Sequence, residues 1–296
     1  MFEMPEAMKE TSEQEWKESV GRQNVLTSLE RIGFHESLHQ EIIGRLVLLE
    51  KESKFNDDSR KIEQGMENVL KLLENRYSEQ NPALRLSAEQ KSSARIAAIL
   101  HDIGKSGPVD ATLGEQEMII KIFACENIRD PKLLLEDEIM KIFEPSQIED
   151  VQWMLEKYTI DKETTMRDFW DKHAYWTRDI LEKYPQGLDS RTRIIAGSHH
   201  IDHDVDPYGL AKDKGATPSE ARVIGLLEDY ADALQGKALI ALDQYEAAVR
   251  RRKFSHAQAL AWVRNNLIKF KDDKLMGLIF EAIDELGEAG KIFQRE

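Results

Sequence analysis

Apolar residues recur along this chain at intervals of three and four, the helical period, and almost nowhere alternate one by one. The stretch 22–52 carries Val25, Leu29, Ile32, Leu38, Ile42, Leu46 and Leu49 in that rhythm and predicts helix. A polar break, SKFNDDSRK, follows, and a second periodic run extends from Ile62 to about Leu73. LSAEQKSSARIAAIL opens with Ser87 and Gln90 at the spacing of a capping box, in which two side chains satisfy the unpaired amides of a first helical turn. It continues through Ile96, Ile99 and Leu100. Between 109 and 165, patches such as EQEMIIKIF and QIEDVQWMLEKY keep the helical period in an acidic setting. ATPSEARVIGLLEDYADALQG places Thr217 as N-cap, Pro218 at the first helical position, Glu220 in the first turn and Gly236 as a stop. The C-terminal 60 residues read as further amphipathic helices. The pattern predicts an all-α protein.

Composition narrows this picture. A chain of 296 residues with 41% hydrophobic and 32% charged positions can bury a sizeable core. A net charge of −14 argues against a surface built to bind a nucleic-acid polymer, while leaving room for a local basic pocket. Cys125 is the single cysteine, so no internal disulfide forms, as expected of a reducing cytosol. The start MFEMPEAMKETSEQEW lacks the basic and apolar parts of a signal peptide, and no run approaches 18 apolar residues. The expectation is a cytoplasmic protein with no membrane partner.

The chemistry concentrates in the histidines. His101 and Asp102 stand side by side in ILHDIGKSGP, directly after an apolar helix-like run. Adjacent helical residues diverge by about 100°, so two neighbours meet one object only where the helix ends. His173 lies on a probable helix, DFWDKHAYWTRDIL, and GSHHIDHDVDPYG carries His199, His200 and His203. Asp229 sits beside an apolar face set by Leu226, Ala233 and Leu234, where an ionised carboxylate needs a compensating cation or hydrogen bonds. Imidazoles with carboxylates and no thiolate suit divalent ions of hard to borderline character. Each piece has a plainer reading: a chance dipeptide, a surface loop, an exposed helical acid paired with Arg222. What sets them apart is the order in which they occur.

That order resembles the HD superfamily of metal-dependent phosphohydrolases, and most closely its HD-GYP branch, the cyclic di-GMP phosphodiesterases. The matching pieces are AAILHDIGKSGP, KHAYWTRDIL, GSHHIDHDVDPYGL and VIGLLEDYADAL, followed by the basic–aromatic stretch RRRKFSHAQALAWV. The resemblance implies an HD-domain helical bundle over residues 61–265, with an insertion at about 109–165. An additional N-terminal helical segment, 1–60, precedes it, and C-terminal helices at 266–296 pack on it. It implies that His101, Asp102, His173, His199, His200 and Asp229 hold two or three divalent ions, Fe or Mn, with Zn, Mg and Ni as further choices. Asp102 would bridge ions, and Lys105 would lie by the scissile phosphate as a second catalytic group. Asp232 would stand behind the ligands and orient the helix.

Two departures from the family pattern stand out. The helix before HD offers Glu63, Gln64 and Glu67 where the family has a histidine, and Glu63 and Glu67, four apart, share a face and could replace it. After HH the chain reads IDHDVDPYGL, so the GYP composition appears in scrambled order and the substrate loop is altered. His203 and Asp204 read as exposed loop residues, with extra ligands as the alternative. Tyr208, Lys105, Arg251 and Lys253 are the candidate substrate contacts; the last two belong to the densest basic run, which is otherwise a solvated helix face.

The expected function is hydrolysis of a phosphodiester, a cyclic dinucleotide such as cyclic di-GMP above all. The alternative is a catalytically impaired receptor that binds a nucleotide and signals to a partner protein. In that case the N-terminal segment would serve as an interaction or homodimer element rather than as core. A purely structural helical domain would leave HDIGK and SHH without a common cause.

Overall fold

A computed structural model describes residues 22–34, 39–53, 55–125, 130, 132–210 and 233–294. Among them are twelve α-helices and no strand. In chain order they are α1 (residues 22–30), α2 (Gln40–Ser53), α3 (Phe55–Tyr77), α4 (Ala88–Leu100), α5 (Leu113–Phe123) and α6 (Leu135–Ile142). There follow α7 (Ile148–Lys157), α8 (Met166–Lys183), α9 (Ser190–Gly197), α10 (Ala233–Arg252), α11 (His256–Asn266) and α12 (Lys274–Glu288). The all-α expectation holds.

Local sequence explains most boundaries. Ser87 and Gln90 form the expected capping box of α4, and Thr112–Glu115, Thr165–Asp168 and Ser255–Gln258 repeat it on α5, α8 and α11. Three expectations need correction. The periodic run 22–52 is two helices, because Gly33 takes a φ of +79°. The Gly33 amide then donates to the Glu30 carbonyl and the Phe34 amide to that of Leu29, a Schellman stop that glycine makes inexpensive. The polar stretch 53–61 holds the boundary between α2, which ends at Ser53, and α3, which begins at Phe55 and runs through the rest, so it is no break beyond residue 55. Its charges find partners there: Arg250 reaches Asp58 at 2.8 Å and Lys61 reaches Glu246 at 3.5 Å. Gly236 is no stop either, for it lies inside α10. A mid-helix glycine costs about 1 kcal/mol, less than the helix gains by burying Leu234, Ala238, Leu239, Ile240, Ala241 and Leu242. The helix expected to start at Thr217 lies, up to residue 232, outside the described residues.

One hydrophobic core runs from Val25 to Ile292. The N-terminal stripe belongs to it, with Val25, Leu29, Ile32, Ile42, Leu46 and Leu49 all buried; Leu38 lies outside the described residues. The 109–165 segment contributes Ile119, Ile120, Ile122 and Phe123, whose ring packs 4.8 Å from that of Phe169 on α8. The Leu135 amide to the Thr164 carbonyl and the Met166 amide to the Leu133 carbonyl, both 2.9 Å, close this segment onto the start of α8. Buried along most of its length, polar Gln235, Lys237, Gln244 and Glu246 included, α10 is central, packed on α3, α4, α9, α11 and α12. No helix among the described residues is long and apolar enough to cross a membrane.

Candidate metal centre

The adjacent His101 and Asp102 converge because the helix ends between them. His101 is the C-cap of α4, and Asp102, at φ −97° and ψ 4°, turns the chain into a 3₁₀ segment, Ile103–Ser106. That segment lies flat on α8. A Cβ on Gly104 would stand 2.0 Å from the His173 carbonyl oxygen, so only glycine permits the approach. The Gly104 amide donates to Thr177 Oγ1 at 3.0 Å, and the same hydroxyl donates to the His101 carbonyl at 2.9 Å. From the other side the fully buried Arg45 of α2 donates to Ser106 Oγ and to the carbonyls of Gly107, Pro108 and Val109 at 3.0–3.3 Å. The N-cap of α9, Asp189, accepts from the Thr192 amide and from Ser93 Oγ on α4, each at 2.7 Å. This ties the His199–His200 turn to the helix that carries His101.

Three histidines then adopt one arrangement. Nδ1 of His101 faces the Ala98 carbonyl at 2.9 Å, Nδ1 of His199 faces that of Ala196 at 2.7 Å, and Nδ1 of His173 faces that of Trp170. A carbonyl only accepts, so each Nδ1 carries a proton and Nε2 is the nitrogen that each ring turns to the centre. Those Nε2 atoms converge. His173 Nε2 is 3.0 Å from His199 Nε2 and 3.1 Å from Asp102 Oδ1, while His199 Nε2 is 3.8 Å from the same oxygen. His101 Nε2, shut off from solvent and without a hydrogen bond, stands 3.6 Å from Asp102 Oδ2 and 3.6 Å from Asp243 Oδ1. Acceptors packed this closely repel unless a cation lies among them, and one proton can join only two of them. His173, His199 and His200 offer ligand atoms within 4.8 Å of one another. The donor set fits a divalent ion.

The electrostatics favour an ionised Asp102 beside neutral His199 and His200. Burial opposes the charge on Asp102, but Lys105, His101 and His173 outweigh it and hold the carboxyl well below its usual range. Burial also opposes a charge on His101, and the neighbouring Asp102 and Asp243 overturn this, leaving its pKa above the ordinary value. His199 and His200 are pushed well down by burial and by the adjoining imidazoles, so both stay neutral and able to ligate. Lys105 Nζ bonds Asp102 Oδ2 and is itself mostly buried.

The structure thus brings His101, Asp102, Lys105, His173, His199 and His200 together. It does not bring Glu63 and Glu67 to them. Arg95 binds both, at 2.6 Å and 3.3 Å, so these carboxylates already have a cation. Asp229, like Asp232 and Arg222, lies outside the described residues. The acid found beside His101 is Asp243 on α10, which the sequence reading missed. Its signal was a lone carboxylate inside the apolar run KALIALDQYEAAV, directly ahead of the basic stretch. Tyr208 is half-buried, with its hydroxyl donating to the Arg193 carbonyl at 3.0 Å. Arg251 and Lys253 are exposed; of the basic run it is Arg250 that turns inward, onto Asp58 and Glu246. No family model, curated protein or solved structure matches the chain.

Proposed function

We propose that the chain is a metal-dependent phosphohydrolase acting on a phosphodiester, with a cyclic dinucleotide such as cyclic di-GMP as the substrate class favoured by its HD-GYP-like motifs. One observation carries this reading: Nε2 of His101, His173 and His199 all turn to Asp102 while each Nδ1 is engaged by a backbone carbonyl. His101, Asp102, His173, His199, His200 and Asp243 would hold two or three divalent ions, of iron or manganese by preference. The two Asp102 oxygens serve different partners, Oδ1 facing His173 and His199 and Oδ2 facing His101 and bonded by Lys105. Such ions, when bound, acidify a water and clamp the phosphate oxygens. Lys105 offsets the Asp102 charge and places an ammonium where negative charge develops on the phosphorus oxygens. Thr177 and Arg45 hold the turn in register without touching substrate.

A receptor reading has its own support, since Arg95 neutralises the two glutamates that would have replaced the missing upstream histidine. Elemental analysis beside turnover separates the two. Protein purified without chelator is assayed on cyclic di-GMP and on bis(p-nitrophenyl) phosphate, wild type against Asp102→Ala. Bound metal and hydrolysis in the wild type, with hydrolysis and the metal of the Asp102 centre lost in the variant, are expected. Metal without hydrolysis of either compound would favour the receptor, and no metal after reconstitution with Mn²⁺ or Fe²⁺ would overturn the centre.

A further inference from the structure

The turn after the paired histidines carries ligands of its own. Ile201–His203 is a 3₁₀ turn with His200 as its N-cap. Three residues per turn stack positions 200 and 203 on one side, and their Nδ1 atoms lie 3.1 Å apart. His203 Nε2 is 3.2 Å from Asp202 Oδ2, which Gln244 also holds by donating at 2.6 Å. A carboxylate only accepts, so Nε2 of His203 carries a proton and donates it to Asp202, while Nδ1 of His203 faces Nδ1 of His200. Asp171 of α8 completes the group, and the ligand atoms of Asp171, His200 and His203 all lie within 4.8 Å of one another. Asp171 Oδ1 is closed to solvent and makes no hydrogen bond, with Arg167 Nη1 3.6 Å away. Two imidazoles and a carboxylate, one imidazole backed by a second carboxylate, are a ligand set for a borderline divalent cation.

We propose that Asp171, His200 and His203 form a further cation site, for Zn²⁺, Mn²⁺ or Fe²⁺, set outward of the Asp102 centre and joined to it through His200. The outward position follows from exposure: the His203 side chain is 32% accessible, that of His199 0%. Three protein ligands leave coordination positions for water or for a phosphate oxygen. The proposal rests on the phosphohydrolase reading only in sharing His200, so its test uses the two ligands that are not shared.

Full-length protein is stripped with chelator and titrated with Mn²⁺, free ion being followed by electron paramagnetic resonance. Wild type, Asp171→Asn, His203→Gln and Asp102→Ala are compared, and their helical content and unfolding midpoints are checked. The expected result is one equivalent fewer in each of the first two variants, and one equivalent retained in Asp102→Ala. Wild-type stoichiometry and affinity in both Asp171→Asn and His203→Gln would overturn the outer site and leave the inner reading intact. Loss of every equivalent in a folded Asp171→Asn or His203→Gln would also overturn it, because the residues would then belong to one undivided centre. A wild type that binds no Mn²⁺ would remove both proposals together.

Discussion

Two buried polar clusters lie close together in this protein, and they solve the problem of interior charge in opposite ways. In one, carboxylates come with their own cations: Asp58 and Glu246 share Arg250 and Lys61, and Glu63 and Glu67 share Arg95. In the other, Asp102 and Asp243 face three imidazoles whose Nδ1 protons point away to backbone carbonyls, and among the described residues Lys105 is the one lysine or arginine bonded to Asp102. Burying carboxylates is tolerable in the first case because each has a cation within the chain. In the second, the ion we propose would supply the balancing charge. A functional centre is therefore marked less by the number of acids and histidines than by a deficit of protons and cations among them. By that criterion Glu63 and Glu67 belong to the scaffold although the sequence offers them as ligands.

The largest expected effect tests this contrast directly. Asp102→Ala should strip metal from the inner centre and lower any phosphodiester turnover by at least about 10²-fold, the scale on which a single central electrostatic contact acts in catalysis. Glu63→Gln should leave the metal equivalents at the wild-type value, with only a stability change from the weakened Arg95 pair. Metal lost equally from both variants, by elemental analysis, would erase the distinction between the clusters.

Next in size is the clamp on the HD turn. Arg45 is fully buried and donates to four acceptors of residues 106–109. Arg45→Met should cost about 3 kcal/mol in urea unfolding, the usual scale for leaving buried charged and polar partners unmatched. Arg45→Lys should recover little of it, because an ammonium cannot reproduce the planar fork. A near-neutral Arg45→Lys would show that charge alone, rather than the fork, holds the turn.

Much of this was legible in sequence, for reasons that are local. The capping box of α4, the termination at His101–Asp102 and the grouping of His199 with His200 all follow from residues within a few positions of one another. What was not legible depends on contacts across the chain. Gly236 and the polar residues 56–61 look like breaks until the burial of α10 and the Arg250–Asp58 pair are seen. Arg45 gives no sign of its role, since its acceptors lie more than 60 residues away. Asp243 was passed over because Asp229 matches the same description, an acid on an apolar helix, and only tertiary packing brings an acid to His101. Asp171 and His203 share nothing in sequence that joins a helix to a turn 32 residues further on.

Smaller still is the contribution of Thr177, which acts through geometry. Its hydroxyl accepts from the Gly104 amide and donates to the His101 carbonyl, so it fixes the turn from which Asp102 and Lys105 project. Thr177→Val keeps the shape and removes both bonds. Metal affinity should fall about 10-fold, the lower end of the effect of groups that orient ligands, with helical content unchanged. Unaltered affinity in the Mn²⁺ titration would mean that the Gly104 contact with α8 suffices by itself.

The effect that isolates the self-compensated cluster concerns pH. Burial and the neighbouring Glu246 raise the Asp58 pKa from its ordinary 3.8 to about 7, against the pull of Arg250 and Lys61. Between those values the folded protein keeps a proton that the unfolded chain has released. The stability that this proton confers is complete below pH 3.8 and declines as pH rises toward 7. One proton sets the steepest slope at about 1.4 kcal/mol per pH unit. Asp58→Asn cannot titrate, so its unfolding free energy should lack that decline, and the gap between variant and wild type should widen from pH 4 to pH 7. Chelator should leave this difference untouched, whereas it should lower the stability of both proteins by removing the ion proposed at Asp102. A pH slope identical in wild type and Asp58→Asn would place the titration elsewhere. A slope difference that vanishes with chelator would mean that the two clusters are one electrostatic unit, since metal at Asp102 would then be setting the proton on Asp58.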